Sequence, residues 1–208
     1  FEREMPLSLY FCTNVEIFGN FSSWDDEVLK PSNTGRLIAD LIPDTHAFIW
    51  QRTEQDPALI ALINDPKYQP IVVFPQEFAL PQQQVHNRVP PIETGKRPLF
   101  ILLDGTWREA KKILRKSPYL QQLPILSMLI EPQDTNQRYR VRKAASDGQM
   151  ATAEVAAQVL HSFGEHDNGT ILDLWFDVFS YHYQHGASHR HQANEQALTD
   201  LQQFTANL

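Results

Sequence analysis

The sequence lacks most of the features that mark exported, membrane-bound or nucleotide-binding proteins. It has one cysteine, Cys12, so an intramolecular disulfide is excluded and a reducing compartment is expected. No apolar run approaches the roughly eighteen residues of a membrane helix, and no basic segment leads into an apolar one, so we expect neither a membrane span nor a signal peptide. Walker loops, GxGxxG loops and a Ser/His/Asp signature are also absent. These absences indicate a cytoplasmic protein.

Positive charge is scarce in total but locally dense. The chain has 18 Lys and Arg residues against 25 Asp and Glu residues, which gives a net charge of −7. That balance argues mildly against nucleic acid, although polyanion binding depends on the local density of phosphate-facing cations. Two interpretations stay open, namely two solvated faces or two RNA contacts. The clusters are Arg108, Lys111, Lys112, Arg115 and Lys116, and Arg138, Arg140, Arg142 and Lys143.

Strand and helix patterns alternate along the chain, which predicts an α/β fold. The length of 208 residues fits a single domain over residues 1–208, with a helical region at residues 170–208. Residues 75–98 are rich in Pro and Gln, and they are predicted to form a long surface loop. Residues 124–130 are predicted to form a further strand.

The most informative stretch joins a predicted buried strand to a predicted helix. The apolar run at residues 99–103 meets Asp104, and Gly105 then allows a tight turn. Thr106 and Glu109 form the S/T-x-x-E capping signature, which predicts a helix that begins after Thr106. Asp104 therefore lies at the carboxyl end of a strand, where open α/β sheets bind ligands. The alternative interpretation is an ordinary capped helix, with Trp107 in the core.

Four short motifs resemble the DTW-domain family, and they occur in the order typical of that family. One of the four departs mildly from the pattern, since Val155 stands where alanine is usual. The motifs are SNTGR at residues 32–36, DGTW at 104–107, YRVRK at 139–143 and TAEVA at 152–156.

This resemblance implies both a fold and a reaction. The fold would be similar to that of SPOUT-like methyltransferases, with a mostly parallel sheet flanked by helices and a C-terminal trefoil knot. The reaction would transfer the 3-amino-3-carboxypropyl group of S-adenosylmethionine to N3 of a uridine in tRNA. Members of the family often carry an N-terminal cysteine cluster that looks metal-binding, and this sequence lacks it. Either the cluster lies upstream of Phe1 or this member has lost it, so we expect no metal in this chain. The implied partner is tRNA, without a membrane or an obligate protein partner.

The resemblance also implies roles for individual residues. Asp104 is the candidate general base, because uridine N3 is a poor nucleophile until it loses its proton. The candidate cofactor-binding residues are Thr34, Thr106, Trp107, Thr152 and Glu154. The candidate RNA-binding residues are Arg36, Arg108, Lys112, Arg138, Arg140 and Arg142. For the four arginines Arg36, Arg138, Arg140 and Arg142, the alternatives are binding of the cofactor carboxylate or salt bridges with the acidic surface.

Two other functions remain open at this stage. One is an S-adenosylmethionine-dependent RNA methyltransferase of the SPOUT type, and the other is a non-catalytic RNA-binding module in which DGTW is only a capped turn. The histidines between His182 and His191 are interpreted as a solvated helix end rather than a metal site.

Overall fold

The computed structural model describes residues 8–14, 34–128, 150–187 and 194–208, the first of these ranges by its backbone alone. The described residues form two compact units. The sheet unit contains residues 8–14 and 42–128, and the helical unit contains residues 34–41, 150–187 and 194–208. Each unit is described by itself below, and the assignment of residues 1–208 to one domain stays a prediction.

The sheet unit is built on six strands, and every neighbouring pair is parallel. Their order across the sheet is β2-β1-β5-β3-β6-β4. The α/β class with a parallel sheet flanked by helices is therefore confirmed, whereas the SPOUT-like fold and the knot stay predictions. The strands are β1 Ser8–Asn14, β2 Thr45–Trp50, β3 Tyr68–Val73, β4 Val85–His86, β5 Arg97–Asp104 and β6 Ile125–Leu126. The helices are α1 Gly35–Leu41, α2 Pro57–Ile63, α3 Trp107–Lys116, α4 Thr152–Phe163, α5 His166–Ala187 and α6 Ala197–Thr205.

Strand β5 is buried on both faces, which explains why its sequence is continuously apolar. Leu99 and Ile101 pack in one hydrophobic cluster with the apolar sides of α2 and α3. Phe100 and Leu102 point to the opposite face, since side chains alternate along a strand, and both are buried as well. The strand is thereby fixed between β1 and β3.

The prediction of one long loop at residues 75–98 is wrong in part. The segment contains a short 3-10 helix at Gln76–Phe78, strand β4 and the first two residues of β5. Buried Gln83 anchors it, since the side-chain amide donates hydrogen bonds to the carbonyl oxygens of Leu120 and Leu123 at 3.1 and 2.9 Å. A strand of two residues is too short to show a periodic pattern, which is why the sequence does not reveal it.

Within the predicted strand at 124–130, the described residues form only β6, and residues 129–130 lie outside the described part.

The helical unit is organised around α5. Its sequence is apolar nearly all round, which predicts packing on more than one side. This prediction is confirmed, since α5 packs against α1, α4 and α6. A hydrogen bond from the indole Nε1 of Trp175 to Asp40, 3.0 Å long, joins α5 to α1.

Candidate functional site

The strand order identifies a candidate binding position at the carboxyl edge of the sheet. β1 is followed along the chain by β2 on one side of it, whereas β5 is followed by β6 on the other side. β1 and β5 are neighbours, so the direction of the connections reverses between them. Open α/β sheets bind ligands outside the carboxyl ends of the strands at such a switch point.

Asp104 lies at this switch point. It is the last residue of β5 and pairs in register with Thr13, near the end of β1. Only 7% of its surface is exposed. It continues the alternation of Phe100 and Leu102, so its side chain projects from the face of the sheet opposite to α3. A buried carboxylate at such a position is a candidate for a chemical role.

The turn after Asp104 depends on glycine and on a capping box. Gly105 has a φ of +136°, which L side chains rarely adopt. The backbone N–H and the hydroxyl of Thr106 both donate to Oε2 of Glu109 at 2.6 Å, and the N–H of Glu109 donates back to the Thr106 hydroxyl at 3.4 Å. The predicted capping box is therefore confirmed, and the exposed Thr106 side chain stabilises the start of α3 whatever else it binds.

Gly105→Ala is expected to lower the free energy of unfolding by about 1–3 kcal/mol through backbone strain. It should also displace Glu109, since an added Cβ would lie 3.1 Å from the Glu109 carboxylate. Gly95→Ala is the matched control, because Gly95 also has a positive φ, +85°, but nothing lies within 4 Å of the added Cβ. Urea denaturation measures both losses. Equal losses would show that the contact with Glu109 contributes nothing.

Trp107 belongs to an aromatic cluster that the sequence does not reveal. Its ring centroid lies 5.7 Å from that of Phe74 and 6.0 Å from that of Phe78. The ammonium group of Lys111 lies 4.1 Å from the Phe78 ring centroid and 5.8 Å from that of Trp107. This aromatic cluster, formed by Phe74, Phe78 and Trp107, packs against the hydrophobic core on the α3 side of the sheet. Asp104 and Trp107 of the DGTW motif therefore project to different sides.

The signal that could have identified part of this cluster is the end of β3. Phe74 directly follows that strand, which is the neighbour of β5 and parallel to it. The carboxyl ends of adjacent parallel strands meet at one edge, so an aromatic residue there is a candidate wall of the site. Phe78 follows only through the 3-10 helix, which has no clear sequence pattern.

The two candidate RNA-binding residues of α3 differ in their surroundings. Arg108 is exposed, in the first turn of the helix. Lys112 is half-buried, and its ammonium group lies 5.8 Å from the ring centroid of Trp50. The indole Nε1 of Trp50 donates to the hydroxyl of Ser117 at 2.8 Å, so this ring is itself fixed. The structure thus favours Arg108 over Lys112 as a contact for a phosphate.

In the helical unit, the predicted cofactor-binding residues meet at the start of α4. The buried hydroxyl of Thr34 accepts a hydrogen bond from the N–H of Ala153 at 3.4 Å. The Glu154 carboxylate accepts one from the N–H of Ala151 at 2.7 Å. Since Ala151 has no side chain that could cap the helix, these two oxygens satisfy amides that α4 leaves unpaired. Thr152 is the first residue of this helix and is half-buried.

Glu154→Gln should separate the capping role from cofactor binding. A glutamine oxygen can still accept from Ala151, so we expect little change in stability. If the carboxylate holds the amino group of S-adenosylmethionine, affinity should fall about tenfold or more, since hydrogen bonds to charged groups contribute about 1.5–3 kcal/mol. Calorimetry measures this loss, and Glu165→Gln, at the start of α5, is the matched control. Unchanged affinity would leave Glu154 as a capping residue.

The remaining candidates are placed as follows. The exposed Arg36 lies on α1, with its guanidinium 5.4 Å from the ring centroid of Phe179. The second basic cluster, which includes Arg138, Arg140 and Arg142, lies outside the described residues. In the described ranges, no three His, Cys, Asp or Glu side chains are grouped as metal ligands would be. None of the described helices combines the length and the apolar character needed to cross a membrane.

The open parallel sheet flanked by helices places the protein in the α/β class, and Asp104 lies where open α/β sheets bind ligands. The family model of the DTW domain matches residues 14–184, and the chain therefore belongs to the DTW-domain family. This membership is consistent with a function in tRNA modification. No solved structure matches the chain.

Proposed function

We propose that this protein transfers the 3-amino-3-carboxypropyl group of S-adenosylmethionine to N3 of a uridine in tRNA and releases 5′-methylthioadenosine. The observation that carries this proposal is Asp104, a buried carboxylate at the switch point of the sheet in a DTW-domain protein. We place the reaction in the cytoplasm and propose no metal site in this chain.

The proposed step balances as a single substitution. Asp104 accepts the proton of N3, and the N3 lone pair forms a bond to the terminal carbon of the aminocarboxypropyl chain. The bond between that carbon and sulfur breaks, and its electron pair neutralises the sulfonium to give a thioether. Because a methyltransferase exposes a different carbon of the same sulfonium, the shape of the site selects the product. A uridine paired in a stem hides N3, so the target base must be unpaired or flipped out.

The described residues supply groups with suitable chemistry. Rings such as Trp107 and Phe78 attract a cationic sulfonium and stack on adenine. Thr152 and Glu154 are proposed to hold the amino group of the cofactor tail, and Thr34 and Thr106 are proposed as further cofactor-binding residues. The proposed phosphate contacts are Arg36, Arg108, Lys112, Arg138, Arg140 and Arg142.

The test is nucleoside mass spectrometry of unmodified tRNA after incubation with the protein and S-adenosylmethionine. The expected product is a uridine that carries an aminocarboxypropyl group. A methylated nucleoside would instead identify a methyltransferase. Binding of tRNA without any affinity for S-adenosylmethionine in calorimetry would identify a non-catalytic RNA-binding module.

A further inference from the structure

Helix α3 concentrates positive charge in a chain whose net charge is −7. It carries five cationic residues within Trp107–Lys116, and its one acidic residue, Glu109, is engaged in the capping box with Thr106. The helix is strongly amphipathic, with its apolar side in the core of the sheet unit. We call the exposed cations the α3 basic face, which consists of Arg108, Lys111, Arg115 and Lys116.

Other cations of the sheet unit pair with carboxylates, whereas Arg108 and Arg115 of the α3 basic face form no such pair with a described residue. Elsewhere in this unit, Lys96 pairs with Glu93 at 2.7 Å and Arg97 pairs with Asp44 at 2.8 Å. In the part of the chain that the structure describes, no carboxylate lies within ion-pair distance of Arg108 or Arg115. Two exposed arginines that have no carboxylate partner among the described residues are suited to an external anion.

The helix dipole explains the positive charges at only one end of the α3 basic face. Arg115 and Lys116 lie in the last turn, where a positive charge stabilises the helix. Arg108 lies in the first turn, where the same charge is unfavourable. The helix dipole therefore does not account for Arg108, whereas binding of an external anion would.

The spacing of the two arginines matches an extended polyanion rather than a single small ion. Arg108 and Arg115 are seven residues apart, which places them on one side of the helix and about 10 Å apart along its axis. Lys111 lies between them, with its ammonium group over the Phe78 ring. The row begins four residues after Asp104, so it leads away from the carboxyl edge of the sheet.

We infer that the α3 basic face binds the phosphate backbone of the tRNA substrate, with Arg108 and Arg115 as its two principal contacts. The inference rests on the proposed function for the identity of the polyanion. Because α3 begins three residues after Asp104, a strand of RNA that lies along this helix would have one end near the carboxyl edge of the sheet. Arg115 is thereby added to the candidate RNA-binding residues, and Lys112, held over Trp50, is a weaker contact.

The test compares the salt dependence of binding to an unmodified tRNA transcript in the intact chain and in Arg108→Gln/Arg115→Gln. Each lost phosphate contact reduces the slope of log affinity against log salt by about 0.7–0.9, so we expect a reduction of about 1.4–1.8. The matched control is Lys67→Gln/Lys96→Gln, which removes two charges at the amino ends of β3 and β5, the opposite edge of the same sheet. This control variant should show the same slope of log affinity against log salt as the intact chain.

Equal slopes for the intact chain and the double arginine variant would overturn the inference. A lysine control whose slope falls as much as that of the arginine variant would also overturn it, as would the absence of tRNA binding by the intact chain. Circular dichroism checks that both variants are folded. The mass-spectrometric assay separates this inference from the proposed function. A modified uridine with an unchanged slope overturns the surface alone, whereas a reduced slope without any modified nucleoside supports the surface and overturns the reaction.

Discussion

Asp104→Asn is expected to reduce aminocarboxypropyl transfer by about 10²–10⁴-fold, the usual contribution of a positioned general base. This corresponds to about 3–5 kcal/mol of activation free energy. The reason is that an amide cannot take the proton from uridine N3, while it keeps the size and one acceptor oxygen of the carboxylate. Because Asp104 is 7% exposed at the end of β5, this near-isosteric change is the one that the fold should tolerate. Single-turnover kinetics with labelled S-adenosylmethionine measures the loss.

The control for Asp104 is another aspartate of the same sheet unit. Asp65 precedes β3 at the amino edge of the sheet, and its carboxylate accepts a hydrogen bond from the N–H of Lys67 at 2.9 Å. Asp65→Asn should therefore retain full activity. Affinity for S-adenosylmethionine should change less than turnover in Asp104→Asn, since the proton is lost only in the transition state. Near-normal turnover by a folded Asp104→Asn protein would remove Asp104 from the mechanism.

The local structure around DGTW could be predicted because its signals lie within a few residues of one another. An unbroken apolar run predicts a strand buried on both faces, and β5 is such a strand. The S/T-x-x-E pattern predicts a helix that begins after Thr106, and α3 begins at Trp107. Gly105 has the positive φ that the tight turn requires. Each of these features is decided by sterics and hydrogen bonds within one turn of the chain.

The features that depend on distant pairing could not be predicted. Nothing local shows that β5 lies between β1 and β3, although this order creates the switch point at Asp104. The hydroxyl of Thr34 contacts the N–H of Ala153, 119 positions away, so a residue that resembles a cofactor ligand in sequence also caps a helix. Such contacts follow from the packing of whole elements.

The DGTW motif combines, within four residues, features that local sequence predicts and a geometry that only the folded structure shows. The sequence places Asp104 and Trp107 only three positions apart, which suggests one shared site. The strand ends between them, and the polypeptide turns at Gly105, so the two side chains project to different sides of the sheet. A motif can therefore combine a group suited to chemistry with a group that fixes the helix behind it.

Trp107→Ala is expected to lower the free energy of unfolding by about 3 kcal/mol, the lower end of the range for Trp→Ala, because the ring is only half-buried. The loss follows from its contacts with Phe74 and Phe78, at 5.7 and 6.0 Å between ring centroids. Trp107→Phe should recover most of this loss, since one aromatic ring still fills the space. Urea denaturation followed by circular dichroism measures both variants.

The same variants decide whether Trp107 also contacts the cofactor. A stacking contact with a nucleobase contributes about 1–3 kcal/mol, so Trp107→Ala should weaken binding of S-adenosylmethionine about tenfold or more. The control is Leu114→Ala, which removes a buried side chain from the same helix and the same core but cannot touch a ligand at 2% exposure. If the folded Trp107→Ala protein binds S-adenosylmethionine as tightly as the Leu114→Ala protein, the ring serves packing alone. In that case the selection of the aminocarboxypropyl carbon must come from other residues of the carboxyl edge.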